Sequence, residues 1–582
     1  MIPYRSFVPL ALLLLSGCAG QMAARGAPRT VTVGIVGIND FHGNLEPPKQ
    51  SVGAPDGKGG TVFVPAGGAA YLASAIDSIR AQYRHTLTVS AGDLISGSPL
   101  ASSLYLDEPT IEAMNRIGLD YNAVGNHEFD MGRAELLRKQ TGGCAKHTAR
   151  APCQIEPFKG AAFKFLAANV ITESGKPLFV ASDIRRFGSG RSRVSIGVIG
   201  LTLKDTPTLV QPDGIAGLTF ADEAAAINAA IPPLKAAGAD AVVVLIHQGG
   251  YTKGAQDPSA CSEFYGPIEP ILAKLDPAVD LVVSGHTHWA YVCDWGARDP
   301  GRPLLLTSTG VGGKMVSDIA LEIDPAANRV VAKRARNVVV QSEPYLGNRG
   351  TVPLSDALPH FAPRADIAAY VAKYADAARQ FALRPAGKLA GRAFRPDGDA
   401  SSLGGSLGNL IADAQLAATA KAGAQITLTN PFGVRPPHEL IPKPDGTLTF
   451  GELYTIQPFN NDLITQTLTG AQLKAVLEQN FDGVGPLQVL TPSAGFAYSY
   501  DLSKPVGERI LAMSLNGAPI DPAASYRVTT NGFLAQGGDT YTALTAGTDK
   551  VVGVTDIEAF EAWLNVATPR PVPSELRTTE VK

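Results

Sequence analysis

The sequence predicts an α/β protein with at least two domains. The chain has 582 residues, and this length is too great for one hydrophobic core. Short apolar runs alternate with helical patterns in two separate blocks of the chain, which is typical of layered α/β domains. Polar clusters follow several apolar runs of the first block, and binding sites usually form at such strand ends.

The first block extends from residue 29 to residue 345. Its apolar runs are predicted to be buried strands at Val31–Ile38, Leu87–Val89, Val194–Ile199, Ala241–Ile246, Leu281–Val283 and Leu304–Thr307. Helical patterns lie between several of them, at Ala69–Tyr83, Thr110–Ile117 and Ala221–Ala237. The glycine- and proline-rich stretch Ser51–Gly68 is predicted to be a surface loop.

A linker helix is predicted within residues 353–384, where apolar residues recur at helical spacing from Ile367 to Ala378. The alternative is an ordinary helix inside one domain. A second α/β domain is predicted for residues 386–566, with strands at Ile426–Thr429, Thr447–Phe450, Leu463–Thr469 and Tyr526–Thr530 and helices at Leu407–Thr419 and Gly470–Gln479. Residues 567–582 are rich in proline and charge and are predicted to form a disordered tail.

Composition and charge exclude some classes of protein. Hydrophobic residues make up 45% of the chain and charged residues 18%, as in ordinary globular proteins. The net charge of −3 shows no basic excess, so we expect no nucleic-acid partner. Nothing in the sequence indicates an oligomeric state.

Residues 1–18 are predicted to be an export signal. Arg5 provides a charged start, and Val8–Leu15 form an apolar core that is too short to span a bilayer. The segment Leu15-Ser16-Gly17-Cys18 resembles a bacterial lipobox, in which the cysteine is lipidated; the alternative is a plain signal peptide. We therefore predict an exported protein, in the periplasm or at the cell surface, held to the membrane only by lipid at Cys18.

The other four cysteines predict disulfides, because an even number in an exported chain favours them. Three connectivities are possible, of which Cys144–Cys153 with Cys261–Cys293 is the local one. A zinc–thiolate site is the alternative, but no C-x-x-C spacing supports it.

Five polar clusters in the first block contain residues that bind metals. They are Asn39-Asp40-Phe41-His42-Gly43, Gly92-Asp93, Gly125-Asn126-His127-Glu128, His247 and Gly285-His286-Thr287-His288. Each cluster alone is a weak signal, but together they supply carboxylate, amide and imidazole ligands from separate strand ends. Such a set suits a pair of ions sharing an anionic ligand, and Asp93 can bridge. Mixed nitrogen and oxygen ligands suit Zn, Mn, Co or similar divalent ions.

The order of these clusters resembles the signature of calcineurin-like metallophosphoesterases, which is D-x-H, G-D, G-N-H-E, H and G-H-x-H. The resemblance implies a four-layer α/β/β/α sandwich for the first domain. It also implies that one ion is held by Asp40, His42, Asp93 and His288, and the other by Asp93, Asn126, His247 and His286. It further implies that His127 stabilises the transition state or protonates the leaving group, and that Asp130 orients it.

Two segments of the second block, Gly451–Asn461 and Asn531–Asp539, resemble the C-terminal domain of secreted 5′-nucleotidases and UDP-sugar hydrolases. The resemblance implies that Phe459 and Phe533 sandwich a base, whose π faces suit such stacking. It implies that Asp539 and Asn461 contact the nucleoside. It also implies that Arg435 contacts the phosphate, in an element that opens at Asn430. Without the resemblance, the two phenylalanines would be assigned to the core.

The second domain departs from the family pattern in two places. The segment Asn430–Arg435 keeps one glycine of a usual pair, and Ser402–Leu410 lacks an arginine and a glutamate that are common there. Arg392 or Arg395 could replace the missing arginine.

These observations predict a two-domain hydrolase that releases phosphate from nucleotides, and 5′-nucleotidase activity is the leading prediction. Two divalent ions would acidify a bridging water, and the resulting hydroxide would attack phosphorus. The close alternatives are a UDP-sugar or dinucleotide pyrophosphohydrolase and a 2′,3′-cyclic-nucleotide phosphodiesterase. More remote alternatives are a sulfur-ester hydrolase and a non-catalytic nucleotide-binding surface protein.

Overall fold

The computed structural model describes residues 30–581 except residues 149, 254–256, 348–349, 397, 485–486 and 567–568. The predicted export signal and Cys18 lie outside the described residues. Within the described part of the chain, no helix combines the length and the apolar character that a membrane span needs.

The first domain is built on two six-stranded sheets that face each other. The first sheet contains, in spatial order, Arg329–Val339, Met315–Asp324, Val31–Ile38, Thr86–Ser90, Tyr121–Ala123 and Lys164–Leu166. The second contains Ala290–Asp294, Leu305–Thr309, Leu281–Ser284, Ala241–His247, Val194–Thr202 and Ser182–Phe187. Apolar side chains from both sheets form one buried cluster between them.

Helices cover the outer face of each sheet, which gives four layers. The helices Ala69–Arg80, Glu108–Ile117 and Arg133–Thr141 share a second apolar cluster with the first sheet, whereas Leu100 of the short helix Leu100–Ser103 packs into a cluster of the second domain. Glu223–Ala236 and Glu269–Leu272 share a third cluster with the second sheet. The predicted α/β/β/α sandwich is therefore confirmed.

Parallel pairing explains both the apolar runs and the position of the polar clusters. Val31–Ile38 pairs in parallel with Thr86–Ser90, and Ala241–His247 pairs in parallel with Leu281–Ser284. Central parallel strands are covered on both faces, so they are continuously apolar rather than alternating. Their carboxyl ends lie at the same edge of each sheet, and the residues that follow them gather there.

The helix predicted near residue 370 extends from Ala365 to Ala382. Its buried side chains, among them Ile367 and Tyr374, belong to the outer apolar cluster of the first domain. The ring of Tyr374 lies 5.1 Å from that of Tyr105. The helix is therefore packed against the first domain, and a short segment after it, Leu383–Pro385, leads to the second.

The second domain contains a five-stranded and a four-stranded sheet. The five strands are, in spatial order, Thr491–Pro492, Ile426–Thr429, Ser525–Asn531, Asp462–Thr469 and Thr548–Thr555. The four strands are Ala518–Pro519, Ile510–Leu515, Phe496–Tyr500 and Thr578–Glu580. The helices of this domain are Gly405–Ala418, Phe450–Ile456, Gly470–Glu478, Gly532–Ala535 and Asp556–Val566.

Two expectations from the sequence are wrong. The stretch predicted as a loop contains a β-hairpin, in which Ser51–Pro55 pairs with Thr61–Pro65. The tail predicted to be disordered carries the strand Thr578–Glu580, which pairs in parallel with Phe496–Tyr500. Both errors have one cause, because strand pairing stabilises segments whose own composition favours loops.

The four described cysteines form two disulfides, Cys144–Cys153 and Cys261–Cys293. The local connectivity is therefore the one the structure adopts. The second disulfide joins the segment after the strand Ala241–His247 to the strand Ala290–Asp294.

We expect the C-terminal segment to contribute to stability through Arg577. The guanidinium of Arg577 donates two hydrogen bonds to the Asp413 carboxylate, at 2.6 and 2.9 Å, and both groups are largely buried. Arg577→Ala leaves Asp413 buried without its partner, which costs about 3 kcal/mol. The urea midpoint of the second domain should fall accordingly, whereas Lys550→Ala, at an exposed position, should leave it in place. Equal midpoints for the two variants would contradict this role for the segment.

Candidate metal centre and cleft

The polar clusters meet at one edge of the sandwich, between the ends of the two sheets. Asp40 and Asp93 follow adjacent parallel strands of the first sheet, and Asn126 follows the next strand. His247 ends a strand of the second sheet, and His286 follows its neighbour. The strand order thus brings sequence-distant side chains together, as expected for an α/β fold.

One group of metal-capable side chains consists of Asp40, His42 and His288. Their ligand atoms lie within 4.8 Å of one another. His42 Nε2 lies 3.2 Å from His288 Nε2, and His288 Nε2 lies 3.4 Å from Asp40 Oδ1. The backbone N–H of His286 donates to the Asp40 carboxylate at 3.0 Å, which fixes the carboxylate.

A second group consists of Asp93, His247 and His286, again with ligand atoms within 4.8 Å. His247 Nε2 lies 3.0 Å from Asp93 Oδ2 and 3.1 Å from Asn126 Oδ1. Asp93 Oδ2 also lies 3.7 Å from His42 Nε2, so this carboxylate faces both groups. All seven side chains that the sequence singles out as ligands therefore lie in one small volume.

The donor set fits divalent cations. Burial lowers the pKa of His42 and His288, and lowers that of His286 to about 3, so these rings are neutral at pH 7 and keep a lone pair for a metal. Burial also disfavours charge on His247, but the Asp93 and Asp40 carboxylates outweigh it and raise its pKa to about 10. A field that holds a proton so strongly also attracts a cation.

Backbone hydrogen bonds orient two of the rings. His42 Nδ1 lies 2.8 Å from the Ser96 carbonyl oxygen, and His247 Nδ1 lies 2.8 Å from that of Ala91. A carbonyl only accepts, so each Nδ1 carries the proton, and each Nε2 faces the centre. This is the usual outer support of a histidine that binds a metal.

The backbone around these ligands adopts costly conformations. Asp40, His42, Asp93, His286 and His288 all have positive φ, between 46° and 69°. For residues other than glycine this costs about 1–2 kcal/mol each. Gly125 cannot be replaced, because a β-carbon there would collide with Asp93 Oδ1. Strain that gathers at one place in this way is typical of functional sites.

Glu128 holds the loops that carry these ligands. Its buried carboxylate accepts hydrogen bonds from the backbone N–H groups of Asp93, Leu94 and Gly125, each at 3.0 Å. Burial and the nearby Asp93 raise its pKa to about 8. Glu128 therefore has a structural role.

His127 stands beside the metal-capable groups rather than within them. Its Nδ1 lies 2.7 Å from Asp130 Oδ2, and its ring lies 5.1 Å from that of His42. Burial opposes the charged form, but the Asp130 and Asp93 carboxylates raise the pKa of His127. On its other side His127 stacks on Phe459, with ring centroids 5.6 Å apart and an angle of 10°.

A cleft of about 820 Å³ joins this edge of the first domain to the second domain. The second domain contributes Arg435, Phe459, Asn461, Phe533 and Asp539 to its lining, and the metal-capable set contributes Asp93, Asn126, His286 and His288. The Arg435 guanidinium lies 5.6 Å from the centre of the Phe459 ring. In the described part of the chain, no carboxylate lies within ion-pairing distance of it, so its charge is available to a ligand.

A hydrogen-bond network holds Asp539. Asn430 Nδ2 and Gln488 Nε2 donate to Asp539 Oδ2 at 2.7 and 3.0 Å. Asn461 Oδ1 accepts from Gln211 Nε2 of the first domain at 3.4 Å, which links the two domains across the cleft. No sequence pattern points to Gln211 or Gln488, because an isolated glutamine in a loop belongs to no motif.

Neither arginine suggested as a replacement is free for phosphate. Arg392 pairs with Glu439 at 2.6 Å on the surface. Arg395 is buried and donates to the Pro431 and Val434 carbonyl oxygens at 3.0 and 2.9 Å, so it supports the loop that carries Arg435. Both side chains thus have partners within the second domain, and Arg395 supports the loop of the neighbouring Arg435.

Comparison with known proteins identifies both halves of the chain. The model of the calcineurin-like phosphoesterase family matches residues 34–290, and that of the 5′-nucleotidase C-terminal domain matches residues 386–546. Endonuclease YhcR of Bacillus subtilis is 31% identical over 549 residues, which are 93% of this chain and 40% of the relative. The chain thus spans less than half of that relative.

Other similar proteins are matched over nearly their whole length. NAD 5′-nucleotidase of Haemophilus influenzae is 24% identical over 588 residues, which are 91% of this chain and 88% of the relative. The crystal structure of a 5′-nucleotidase precursor from Thermus thermophilus superposes with a TM-score of 0.73 at 26% identity, over 94% of this chain and 99% of that one. Because both domain models match and 5′-nucleotidases align with the chain over nearly their whole length, the chain belongs to the 5′-nucleotidase family of calcineurin-like phosphoesterases.

Proposed function

We propose that the chain is an exported hydrolase that releases phosphate from 5′-nucleotides with two divalent ions. One observation carries the proposal: the cleft that reaches two groups of metal-capable side chains in the first domain, through Asp93, His286 and His288, is also lined by two phenylalanines of the second. Ions bound by the metal-capable side chains would hold a phosphate, and the two phenylalanine rings would hold a base.

Asp40, His42 and His288 would hold one ion, and Asn126, His247 and His286 the other, with Asp93 between them. Bound ions would supply positive charge for the phosphate oxygens and would lower the pKa of a coordinated water. The protein keeps the ligands in place through the Glu128 hydrogen bonds and the buried rings.

His127 would donate a proton to the leaving oxygen. Asp130 engages Nδ1 and supports the protonated ring, which leaves Nε2 as the donor. The base of the substrate would lie between Phe459 and Phe533, with Asp539 and Asn461 as polar partners of the nucleoside. Arg435 would bind the phosphate, because its guanidinium has no carboxylate partner among the described residues.

We also propose export, with lipid at Cys18. Two disulfides in the first domain support this, because disulfides persist in oxidising compartments.

The role of His127 can be tested with substrates that differ in leaving group. A nucleoside alkoxide is a poor leaving group and needs the proton, whereas p-nitrophenolate does not. We expect His127→Gln to lower kcat for 5′-AMP about 100-fold or more. The fall for p-nitrophenyl phosphate should be less than tenfold. His147→Gln, at an exposed histidine outside the cleft, is the control. Equal losses on both substrates would argue against proton donation by His127.

The proposed substrate can be tested by phosphate release from 5′-AMP and from ribose 5-phosphate, which lacks the base. Release should stop with a chelator and return with Mn²⁺, Co²⁺ or Zn²⁺. Base stacking is worth about 1–3 kcal/mol, so Phe533→Ala should lower the ratio of kcat/KM for 5′-AMP to that for ribose 5-phosphate about tenfold.

Phe459→Ala should act in the same direction, but Phe459 also packs on His127, so Phe533 gives the cleaner result. Phe381→Ala, at a ring 48% exposed on the helix Ala365–Ala382, is the matched control. If neither Phe533→Ala nor Phe459→Ala changes the ratio of kcat/KM for 5′-AMP to that for ribose 5-phosphate, the base does not bind between these rings. If full release persists in the chelator, the metal-dependent mechanism fails.

A further inference from the structure

The loop of residues 96–98 lies against the metal-capable groups and lines the cleft. Ser96 in this loop is buried and has a φ of 65°. A β-carbon at Gly97 would lie 3.5 Å from His42 Nδ1 and 3.6 Å from the Phe459 ring. The 96–98 loop therefore packs between a metal-capable ring of the first domain and an aromatic ring of the second.

Both backbone polar groups of Ser96 are engaged. Its carbonyl oxygen accepts from His42 Nδ1 at 2.8 Å, and its N–H donates to Asp107 Oδ2 at 3.1 Å. The carbonyl keeps the proton of His42 on Nδ1 and leaves the lone pair of Nε2 facing Asp40 and His288. A shift of Ser96 would therefore change how His42 presents that lone pair to an ion.

The Asp107 carboxylate holds the 96–98 loop rather than the helix that follows it. Asp107 directly precedes the helix Glu108–Ile117, yet its side chain makes no capping hydrogen bond there. Instead its Oδ1 accepts from Ser102 Oγ at 2.6 Å, which leaves Oδ2 for Ser96. Both oxygens thus bind residues that precede the helix, so ordinary helix capping does not account for this side chain.

The backbone of Asp107 also adopts a costly conformation. Its φ is 55°, which is unfavourable for residues other than glycine, and the residue is 1% exposed. Without the carboxylate, the buried N–H of Ser96 would lose its acceptor. Strain and burial of this kind are typical of a residue that serves a nearby functional site.

We propose that Asp107 is a positioning residue for metal binding, which fixes Ser96 and through it the ring of His42. The group of Asp40, His42 and His288 is called the His42 site, and that of Asn126, His247 and His286 the His247 site. The inference rests on the proposed function, because it takes His42 as a ligand of an ion.

The effect of Asp107 is confined to the His42 site. The ring of His247 is oriented by the carbonyl oxygen of Ala91, at 2.8 Å from Nδ1, and not by Ser96. Replacing a group that orients a metal-binding histidine lowers metal affinity about 10- to 100-fold, and Asp107 acts one residue further away, so we expect about tenfold. Loss at one of two adjacent sites is a result that general damage to the fold does not produce.

The test is the variant Asp107→Gly in the full chain. Glycine adopts a φ of 55° without strain, so the variant removes the carboxylate and adds no backbone cost. Calorimetric titration of the metal-free protein with Mn²⁺ should show two binding events, and His42→Ala identifies the event of the His42 site. We expect Asp107→Gly to weaken that event about tenfold and to leave the event of the His247 site unchanged.

Hydrolysis of 5′-AMP gives a second readout. At low Mn²⁺ the rate of Asp107→Gly should fall, and excess Mn²⁺ should restore kcat, because His42 itself is still present. A kcat that stays low at saturating Mn²⁺ would overturn the proposal, since Asp107 would then act on more than metal affinity.

The conservative variant Asp107→Asn should keep the affinity of the His42 site within about twofold. Its amide oxygen can accept from the Ser96 N–H, and its amide nitrogen can donate to Ser102 Oγ. If Asp107→Asn binds Mn²⁺ as weakly as Asp107→Gly, the hydrogen bond to Ser96 is not the cause and the proposal fails.

Asp240→Ala is the matched control. The Asp240 carboxylate is buried and accepts from the Ser195 N–H at 2.7 Å, but it lies at the amino end of the strand Ala241–His247, away from the metal-capable groups. Its replacement should lower the thermal midpoint and leave both Mn²⁺ binding events as they are.

The outcomes separate this inference from the proposed function. If Asp107→Gly weakens both binding events or neither, Asp107 does not position His42, and the proposed function stands. If the unaltered protein neither binds Mn²⁺ nor hydrolyses 5′-AMP with any divalent ion, the proposed function fails, and the role of Asp107 fails with it.

Discussion

Lone pairs of nitrogen and oxygen crowd together between the ends of the two sheets, and this crowding governs the site. Asp93 Oδ2 and Asn126 Oδ1 lie 3.0 and 3.1 Å from His247 Nε2. Acceptors at such distances repel one another unless positive charge lies between them. Protons can supply part of that charge, but three of the four rings resist protonation because they are buried. Divalent cations satisfy all the acceptors at once.

The other features of the centre keep these nitrogen and oxygen atoms close together. Short turns with positive φ aim successive side chains such as Asp40 and His42 at the same place. Gly125 lets two loops approach closely, and Glu128 binds their backbone N–H groups. The large apolar layers on either side stabilise the sandwich, which can therefore tolerate local strain at its edge. The second domain completes the cleft with two phenylalanines and an arginine.

The sequence predicts the fold and the metal-capable residues well, for separate physical reasons. Buried parallel strands require continuous apolar runs, and metals require particular residue types, so both leave a local pattern. The hairpin Ser51–Pro55 with Thr61–Pro65 and the C-terminal strand leave none, because pairing partners stabilise them. Arg577 is ordered by Asp413, which lies 164 residues away in the chain.

The same reason explains which cleft residues the sequence does not reveal. Lys314 and Trp289 are 25 positions apart and belong to no motif, although Trp289 follows the histidine pair directly. Only the folded sheets bring both residues to the lining of the cleft. Arg395 is the opposite case: its position in the sequence suggests a phosphate contact, but its guanidinium donates to carbonyl oxygens of the loop that carries Arg435.

The metal content of the purified protein tests the central claim most directly. Elemental analysis should find two divalent ions per chain in the unaltered protein. Asp93→Asn weakens the carboxylate that faces both groups and should bring the content to one ion or none. Asp183→Asn, at a carboxylate far from the centre that pairs with Lys164, should keep both. An unaltered protein that is fully active without bound metal, or Asp93→Asn with two ions retained, would contradict the account.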